Sequence, residues 1–250
     1  MASAPKSRGL GSTVVPSAEG YDAATYYRGE AASRYDEART MSSFARRKWA
    51  AEETALAATV RAFEPGNMVL DLPCGTGRFD ELLTHHGLSI VGADISIDMM
   101  RAVQTPTSVV PRIQANAMRL PLPDRSVPYT LCGRFLNLIP LTAVLDVLTE
   151  LRRVTEHAVV IEVRVRRDLP AARFVRLGTR WRSKMSRQLR RGSVPSAAMS
   201  EREPIKVHVE ADLLEVVRRA GWREVDRQEA VYTRMLVRPD PLYFMVLKPK

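Results

Sequence analysis

The sequence lacks the features that mark membrane-spanning, disulfide-stabilised or metal-binding proteins. It has two cysteines, Cys74 and Cys132, whose separation suits neither a metal site nor a redox pair. No run of about 18 apolar residues is present, so no transmembrane helix is expected. Residues 1–20 are rich in Ser, Ala, Gly and Pro without a long apolar core, which predicts a disordered N-terminus rather than a signal peptide. These absences favour a reducing, cytoplasmic compartment.

The composition is that of a globular but strongly basic chain. With 250 residues, of which 45% are hydrophobic, it can form one large α/β domain or a domain with additions. The net charge of +10 and the pI near 10 favour an anionic partner: nucleic acid, a membrane surface or an acidic substrate. A general preference for arginine in the source genome is the alternative explanation.

One stretch, residues 68–78, organises the rest of the chain. An apolar run ends in Asp71, a turn with Gly75 and Gly77 follows, and residues 79–86 are predicted to form a helix that ends at Gly87. A strand, a glycine loop and a helix in this order can bind a nucleotide, because glycine lets the backbone approach a ligand closely and the helix N-terminus presents unpaired N–H groups.

The loop differs from two common phosphate-binding patterns. Asp80 stands where G-x-G-x-x-G requires its third glycine, and no Gly-Lys-Ser/Thr follows as in a P-loop. Asp71 would repel a pyrophosphate and attract an ammonium group. The stretch therefore predicts a site for a cationic or zwitterionic nucleoside. An ordinary tight turn between strand and helix is the alternative interpretation.

The run Val-Leu-Asp-Leu-Pro-Cys-Gly-Thr-Gly-Arg, residues 69–78, resembles the first motif of class I S-adenosylmethionine (SAM)-dependent methyltransferases. The family usually has glycine where this chain has Pro73, so the loop is expected to be stiffer. The resemblance implies SAM as cofactor and extends along the chain. Ala32-Ser-Arg-Tyr35-Asp36 is similar to an N-terminal element that lies over the cofactor in the family, with a packing role as the alternative for Tyr35.

Two further stretches carry the expected cofactor contacts. The second predicted strand, residues 88–94, ends in Asp94, 23 residues after Asp71, where a carboxylate can accept hydrogen bonds from both ribose hydroxyls. In the stretch that resembles the family's adenine-contacting element, Asn116 offers a carbonyl to the adenine amino group and Ala117 leaves room for a flat ring. The predicted SAM-binding residues are Tyr35, Asp71, Pro73, Cys74, Gly75, Gly77, Asp94, Ile95, Asn116, Ala117 and Arg134.

The alternation of strand and helix predicts a Rossmann-like, seven-stranded, mostly parallel sheet with helices on both faces and an antiparallel C-terminal strand pair. Its predicted elements are helix 44–63, strands 109–115, 127–133 and 158–165, helices 141–154 and 210–220, and strands 222–233 and 242–248. We expect a methyltransferase domain over residues 21–250, with an N-terminal helical cap at 21–64 and a basic helical insertion at 166–206.

The excess positive charge is concentrated between residues 164 and 191, which hold eleven Arg or Lys and one acid, Asp168. Phe174, Leu177, Trp181, Met185 and Leu189 are spaced so as to share one helical face. This basic amphipathic helix is interpreted as a lid over the substrate or a packed helix, with an anionic membrane surface or RNA as alternatives. The predicted localisation is accordingly cytoplasmic, with peripheral membrane attachment as a variant.

The acceptor side is less well defined by the sequence. Phe135 and Asn137, after the fourth strand, and Phe174 and Trp181 are the predicted substrate-side residues, and His208 is the weak candidate for a general base. A surface position is the alternative for Arg134. No Asn-Pro-Pro-Tyr or Asp-Pro-Pro-Tyr stretch marks an amino-methylating nucleic-acid enzyme. The favoured acceptor is a small or lipid-like molecule, with RNA methylation, RNA binding or a non-catalytic binding module as alternatives.

Overall fold

The computed structural model describes residues 29–103, 110–167, 205–232 and 240–250. The described part begins with three helices: α1 (Glu30–Ser33), α2 (Tyr35–Thr40) and α3 (Ser43–Val60). A serine caps α3: the Ser42 hydroxyl accepts a hydrogen bond from the Ala45 N–H at 3.0 Å. The predicted end of this helix at Phe63 is wrong, because Phe63 leaves the helix and stacks on the Tyr129 ring at 4.3 Å.

The first half of the α/β core follows the predicted order closely. Its elements are β1 (Met68–Asp71), α4 (Asp80–His85), β2 (Ser89–Asp94), α5 (Ile97–Arg101), β3 (Arg112–Gln114) and β4 (Val127–Cys132). β3 is shorter than the predicted strand. Ser96 caps α5 through a hydrogen bond from the Met99 N–H at 3.3 Å. Val109 and the other residues of the 104–109 segment lie outside the described ranges.

The second half completes the sheet. Its elements are a 3-10 helix (Leu136–Leu138), α6 (Leu141–Val154), β5 (Thr155–Arg166), β6 (His208–Val209), α7 (Glu210–Arg219), β7 (Trp222–Glu229) and β8 (Leu242–Pro249). The short β6, which pairs in parallel with β5 through Val165 and His208, was not predicted. The predicted β7 end at Thr233 is too late, because the strand ends at Glu229.

The sheet has the strand order β3-β2-β1-β4-β5-β8-β7 in the described residues. Strands β1 to β5 run in parallel, and β8 is antiparallel to both β5 and β7. The predicted fold class is therefore confirmed. The strand order reverses between β1 and β4, so a crevice forms beyond the carboxyl ends of these strands, where open α/β sheets bind their ligands.

Two apolar layers hold the sheet. β5 carries an uninterrupted apolar run, residues 158–161, that is buried on both faces, as expected of a central strand. One face packs on α6 and α7, where the Trp222 indole donates a hydrogen bond to the Leu148 carbonyl at 2.9 Å. The other face packs on α3 through Leu56 and Val60. No helix in the described ranges has the length and apolar character needed to cross a bilayer.

Candidate cofactor and acceptor cleft

The loop between β1 and α4 is anchored on the end of β2. The Cys74 N–H donates to the Ala93 carbonyl at 2.9 Å, and the Gly75 N–H donates to Asp94 Oδ2 at 2.8 Å. Gly75 and Gly77 have φ angles of 53° and 76°, in the left-handed region that favours glycine. The loop, which also contains the predicted Pro73, therefore lies against β2 at the switch point of the sheet.

A side chain at Gly77 would require the paired Asp80 and Arg112 side chains to move. A Cβ there would lie 2.5 Å from the Asp80 carboxylate and 2.7 Å from the Arg112 guanidinium, whereas a Cβ at Gly66, which also has a positive φ, would meet nothing within 4 Å. We expect Gly77→Ala to lower the free energy of unfolding by about 2–4 kcal/mol, and Gly66→Ala by about 1 kcal/mol from backbone strain alone. Equal losses in urea unfolding of the two variants would contradict this account of the loop.

An acidic cluster, defined as Asp71, Asp80 and Asp94, lies beside this loop. Asp71 is buried at the end of β1, and its Oδ1 has no hydrogen-bond partner among the described residues. Burial, followed by the charges of Asp80 and Asp94, raises the pKa of Asp71 well above its usual value, and Arg112 opposes the shift. The cluster is thus short of positive charge, which suits a cationic ligand.

Asp80 was missed as a site residue by the sequence analysis. It lies in the first turn of α4 and forms an ion pair with Arg112 on β3. Burial raises the pKa of Asp80, and Arg112 partly offsets that rise. The available signal was an acid at the start of the helix after a glycine loop, but its partner, 32 residues later, could not be inferred from local pattern.

Asp94 already uses both carboxylate oxygens within the protein. Oδ2 accepts from the Gly75 N–H and Oδ1 from the Ser96 N–H, each at 2.8 Å. Burial raises the pKa of Asp94, while these N–H donors lower it. Each oxygen retains a second lone pair. Ribose binding by Asp94 stays a prediction. The structure shows a second role for this residue, which is to hold the glycine loop against β2.

The predicted residues Tyr35 and Arg134 lie near each other at the mouth of the crevice. The Arg134 guanidinium carbon is 6.0 Å from the centre of the Tyr35 ring. The next residue, Asp36, accepts a hydrogen bond from the Thr76 hydroxyl of the glycine loop at 3.0 Å. The N-terminal element is therefore attached to the glycine loop, and its position over the cofactor stays a prediction.

A second link between helix α3 and the glycine loop was not predicted. Arg78 stacks over the Trp49 ring at 3.8 Å and donates to the buried Glu52 carboxylate at 2.5 Å. Arg78 is the last residue of the glycine-loop motif, residues 69–78. Glu52 is an acidic residue on the buried, mostly apolar face of α3. Its position was the sequence signal that a buried cation lies nearby.

The predicted adenine-side residues follow β2 and β3. The Asn116 side-chain oxygen accepts a hydrogen bond from the Met118 N–H at 2.9 Å, which leaves one lone pair on that oxygen. Ala117 is buried, and the Ile95 carbonyl accepts from the Gln114 side chain at 3.0 Å. Their contacts with adenine stay predictions.

The predicted substrate-side residues are only partly described. Phe135 is half-buried against the main core, while Phe174 and Trp181 lie outside the described residues. His208 is buried, and its Nε2 lies 2.8 Å from the Leu136 carbonyl, the geometry of a donated hydrogen bond. That bond occupies one ring nitrogen and favours a packing role for His208 over that of a general base.

Asn137 has all its side-chain groups bonded to backbone. Its amide donates to the carbonyls of Arg164 and Lys206 at 2.9 and 2.7 Å, and its oxygen accepts from the Arg164 N–H at 2.6 Å. The side chain thus joins the 3-10 helix, the end of β5 and the segment before β6. This network explains its position without any substrate contact.

We expect Asn137→Ala to lower the free energy of unfolding by about 2–4 kcal/mol, because three hydrogen bonds are lost in a partly buried place. Asn67→Ala is the matched control, since the Asn67 side chain donates one long bond of 3.3 Å at the other end of the sheet. Chemical unfolding of both variants measures the difference. A stable Asn137→Ala protein would contradict the structural role and favour the predicted substrate contact.

Another acid missed by the sequence analysis is Glu162, buried near the carboxyl end of β5. A Cβ on Gly133 would lie 3.7 Å from its carboxylate and 3.0 Å from the Phe79 ring. Its position inside an apolar strand was the only available signal. In the described ranges, no group of His, Cys, Asp and Glu side chains has an arrangement that could hold a metal ion.

The comparisons with known proteins agree with this geometry. The family model described as "Methyltransferase domain" matches residues 69–158, which run from β1 into β5. Over these residues the chain is therefore similar to methyltransferase domains. A search of curated proteins finds no match to the sequence.

Solved structures of similar fold align with more of this chain than residues 69–158. Magnesium protoporphyrin IX methyltransferase from Synechocystis PCC 6803, with bound S-adenosylhomocysteine (SAH), has a TM-score of 0.61 and 13% identity, over 91% of this chain and 97% of that one. The 1,6-didemethyltoxoflavin-N1-methyltransferase from Burkholderia thailandensis has values of 0.58 and 15%, over 87% and 84%. Geranyl diphosphate C-methyltransferase from Streptomyces coelicolor has 0.54 and 12%, over 79% and 81%. At these identities, the likeness shows the fold.

Proposed function

We propose that this protein transfers the methyl group of SAM to a small-molecule or lipid-like acceptor. The observation that carries the proposal is the acidic cluster beside a glycine loop at the sheet's switch point. The cluster has more acidic than basic side chains, which suits the ammonium and sulfonium groups of SAM. The buried Asp71 Oδ1, which has no partner among the described residues, can accept a hydrogen bond from a ligand. A phosphate-bearing nucleotide would be repelled there.

The residues present match the parts of this cofactor. Asp94 would accept from the ribose hydroxyls, Asn116 and Ala117 would border the adenine, and Gly75 and Gly77 would let the backbone approach the amino-acid portion. Tyr35 would cover the cofactor from the N-terminal element. Proposed domain limits are a cap at residues 21–64 and a basic insertion at 166–206 within a domain at 21–250.

The cofactor supplies a methyl group on a sulfonium, which is a good leaving group and needs no acid. The protein's own part is to hold the acceptor in line with that methyl group and to exclude water. The half-buried Phe135 would provide apolar surface near the cleft. Glu162 is a buried carboxylate near the acceptor side that can take a proton from an acceptor group.

Small-molecule acceptors are supported by the similar structures. The three named enzymes act on a porphyrin, a toxoflavin precursor and geranyl diphosphate, as their names state. The alternative with a specific observation in its favour is RNA methylation or RNA binding, because of the eleven cations at residues 164–191. A cytoplasmic protein, with attachment to an anionic membrane surface as a variant, suits either acceptor.

The test incubates the purified protein with SAM carrying a radiolabelled methyl group and with the small-molecule, lipid and RNA fractions of a bacterial extract, each separately. We expect label in the small-molecule or lipid fraction, and none when Asp94→Ala replaces the wild type. Label in RNA alone would replace the proposed acceptor class. No label in any fraction would contradict the proposed activity.

A further inference from the structure

Arg134 is one of two half-buried arginines without an ion pair or hydrogen bond among the described residues; the other, Arg152, lies over the Trp222 ring at the end of α6. In the part of the chain that the structure describes, Arg78, Arg112, Arg153, Arg164 and Arg227 each donate hydrogen bonds to an acceptor. The Arg134 guanidinium forms neither an ion pair nor a hydrogen bond within the described residues, and it lies over the Tyr35 ring. Five N–H donors at the mouth of the crevice are therefore available to a ligand.

The backbone at Arg134 is also unusual. Its φ angle is 55°, in the left-handed region that costs a non-glycine residue about 1 kcal/mol or more. Arg134 directly follows Gly133, whose missing Cβ leaves room for Phe79. A strained arginine where glycine would be relaxed indicates that its side chain, rather than the local backbone, accounts for its presence.

Charge divides the carboxyl edge of the sheet into two halves. The half at β1 and β2 carries the acidic cluster. The half at β4 and β5, with the adjoining ends of β7 and β8, carries Arg134, Arg164, Arg166, Arg167 and Lys206 against the acids Glu162, Glu210, Glu229 and Asp240. Arg112, on β3, is the cation that opposes the raised pKa of the Asp71 carboxyl.

We propose that Arg134 binds an anionic group, a carboxylate or a phosphate, on the methyl acceptor. This inference rests on the proposed function, since it assigns the basic half of the edge to the acceptor and the acidic half to the cofactor. A guanidinium binds either anion through two parallel hydrogen bonds, which also fixes the acceptor's orientation. The acceptor class is thereby narrowed to small molecules with an acidic group.

The test uses phenyl phosphate and benzoate as probes, with benzyl alcohol as the neutral comparison. Each is titrated by calorimetry into the wild-type protein, both alone and saturated with SAH. We expect millimolar or tighter binding of both anions and none of benzyl alcohol. Arg134→Gln should lower the affinity for both anions by at least about tenfold, the effect of losing a charge-assisted hydrogen bond. Its affinity for SAH should stay within about threefold of the wild-type value.

Arg125→Gln is the matched control. Arg125 also has a left-handed φ, 51°, but it lies before β4 at the opposite edge and pairs with Glu156. The Arg125→Gln variant should bind both anions with wild-type affinity. Arg134→Gly should have a higher melting temperature than the wild type, because glycine adopts this φ without strain. It should no longer bind the anions.

Three results would overturn the inference: no anion binding by the wild type, equal anion binding by Arg134→Gln, or loss of SAH affinity in that variant with the anions unaffected. The last would assign Arg134 to the cofactor. A wild type that binds no SAH but binds the anions through Arg134 would contradict the proposed function and leave the anion site in place. The two failures are therefore distinguishable.

Discussion

Asp71→Asn is expected to make the free protein more stable and to weaken SAM binding at the same time. The wild-type carboxyl is buried, one of its oxygens has no partner among the described residues, and two neighbouring acids disfavour its charge. A neutral amide of the same shape removes that charge. We expect a gain of about 1–2 kcal/mol in the free energy of unfolding near pH 8.

The pH dependence of stability follows from the raised pKa. Between the usual value of 3.8 and the raised folded-state value, the folded protein holds a proton on Asp71 that the unfolded chain has lost. The contribution of Asp71 to stability therefore falls as pH rises through this window, and Asp71→Asn should remove the fall. Because SAM is a cation, its affinity for the wild type should rise over the same window.

Asp80→Asn is the matched comparison, with the opposite sign. It removes the partner of Arg112 and should lower the free energy of unfolding by about 1–2 kcal/mol. Urea unfolding of the three proteins at several pH values, with and without SAM, measures these effects. An Asp71→Asn protein that is less stable than wild type, or that binds SAM equally well, would contradict the role of the acidic cluster.

Asp94→Ala is expected to lower the affinity for SAM by at least about 100-fold, because two ribose hydroxyls lose a charged acceptor. The glycine loop should also detach from β2, since the Gly75 and Ser96 N–H groups lose their partner, at a cost of about 2–3 kcal/mol in stability. Equilibrium dialysis with labelled SAM measures the affinity.

Asp146→Ala, an exposed acid on α6, is the control and should bind SAM as the wild type does. If Asp94→Ala is too unstable to purify, Asp94→Asn keeps the side-chain shape and should still lose about tenfold or more. Wild-type affinity in a folded Asp94 variant would show that the ribose is held elsewhere.

The parts of the fold that depend on periodic patterns were predictable from sequence. α6 has the predicted limits, 141–154, because its apolar residues repeat at helical spacing between a proline and a buried strand. The order of β1, the glycine loop and β2 was predictable for a similar reason: a strand end, a glycine pair and a second acid occur at a fixed spacing. The sheet's antiparallel ending followed from two strand patterns without a helix between them.

Features that depend on distant contacts were not predictable. The Arg78–Glu52 pair joins residues 26 apart in sequence, and no local pattern connects them. The helix α3 ends early because Phe63 stacks on Tyr129, a strand residue far along the chain. β6 has two residues and depends on β5 for its pairing. Phe174 and Trp181, predicted for the acceptor side, lie outside the described residues.

The central claim is that this cleft binds SAM, and calorimetric titration of the wild-type protein with SAM and with SAH tests it most directly. We predict binding of both, with a dissociation constant on the order of micromolar for SAM. SAM should bind more tightly than SAH, because its sulfonium charge interacts favourably with the acidic cluster. An absence of binding by either compound to the folded protein would contradict the account.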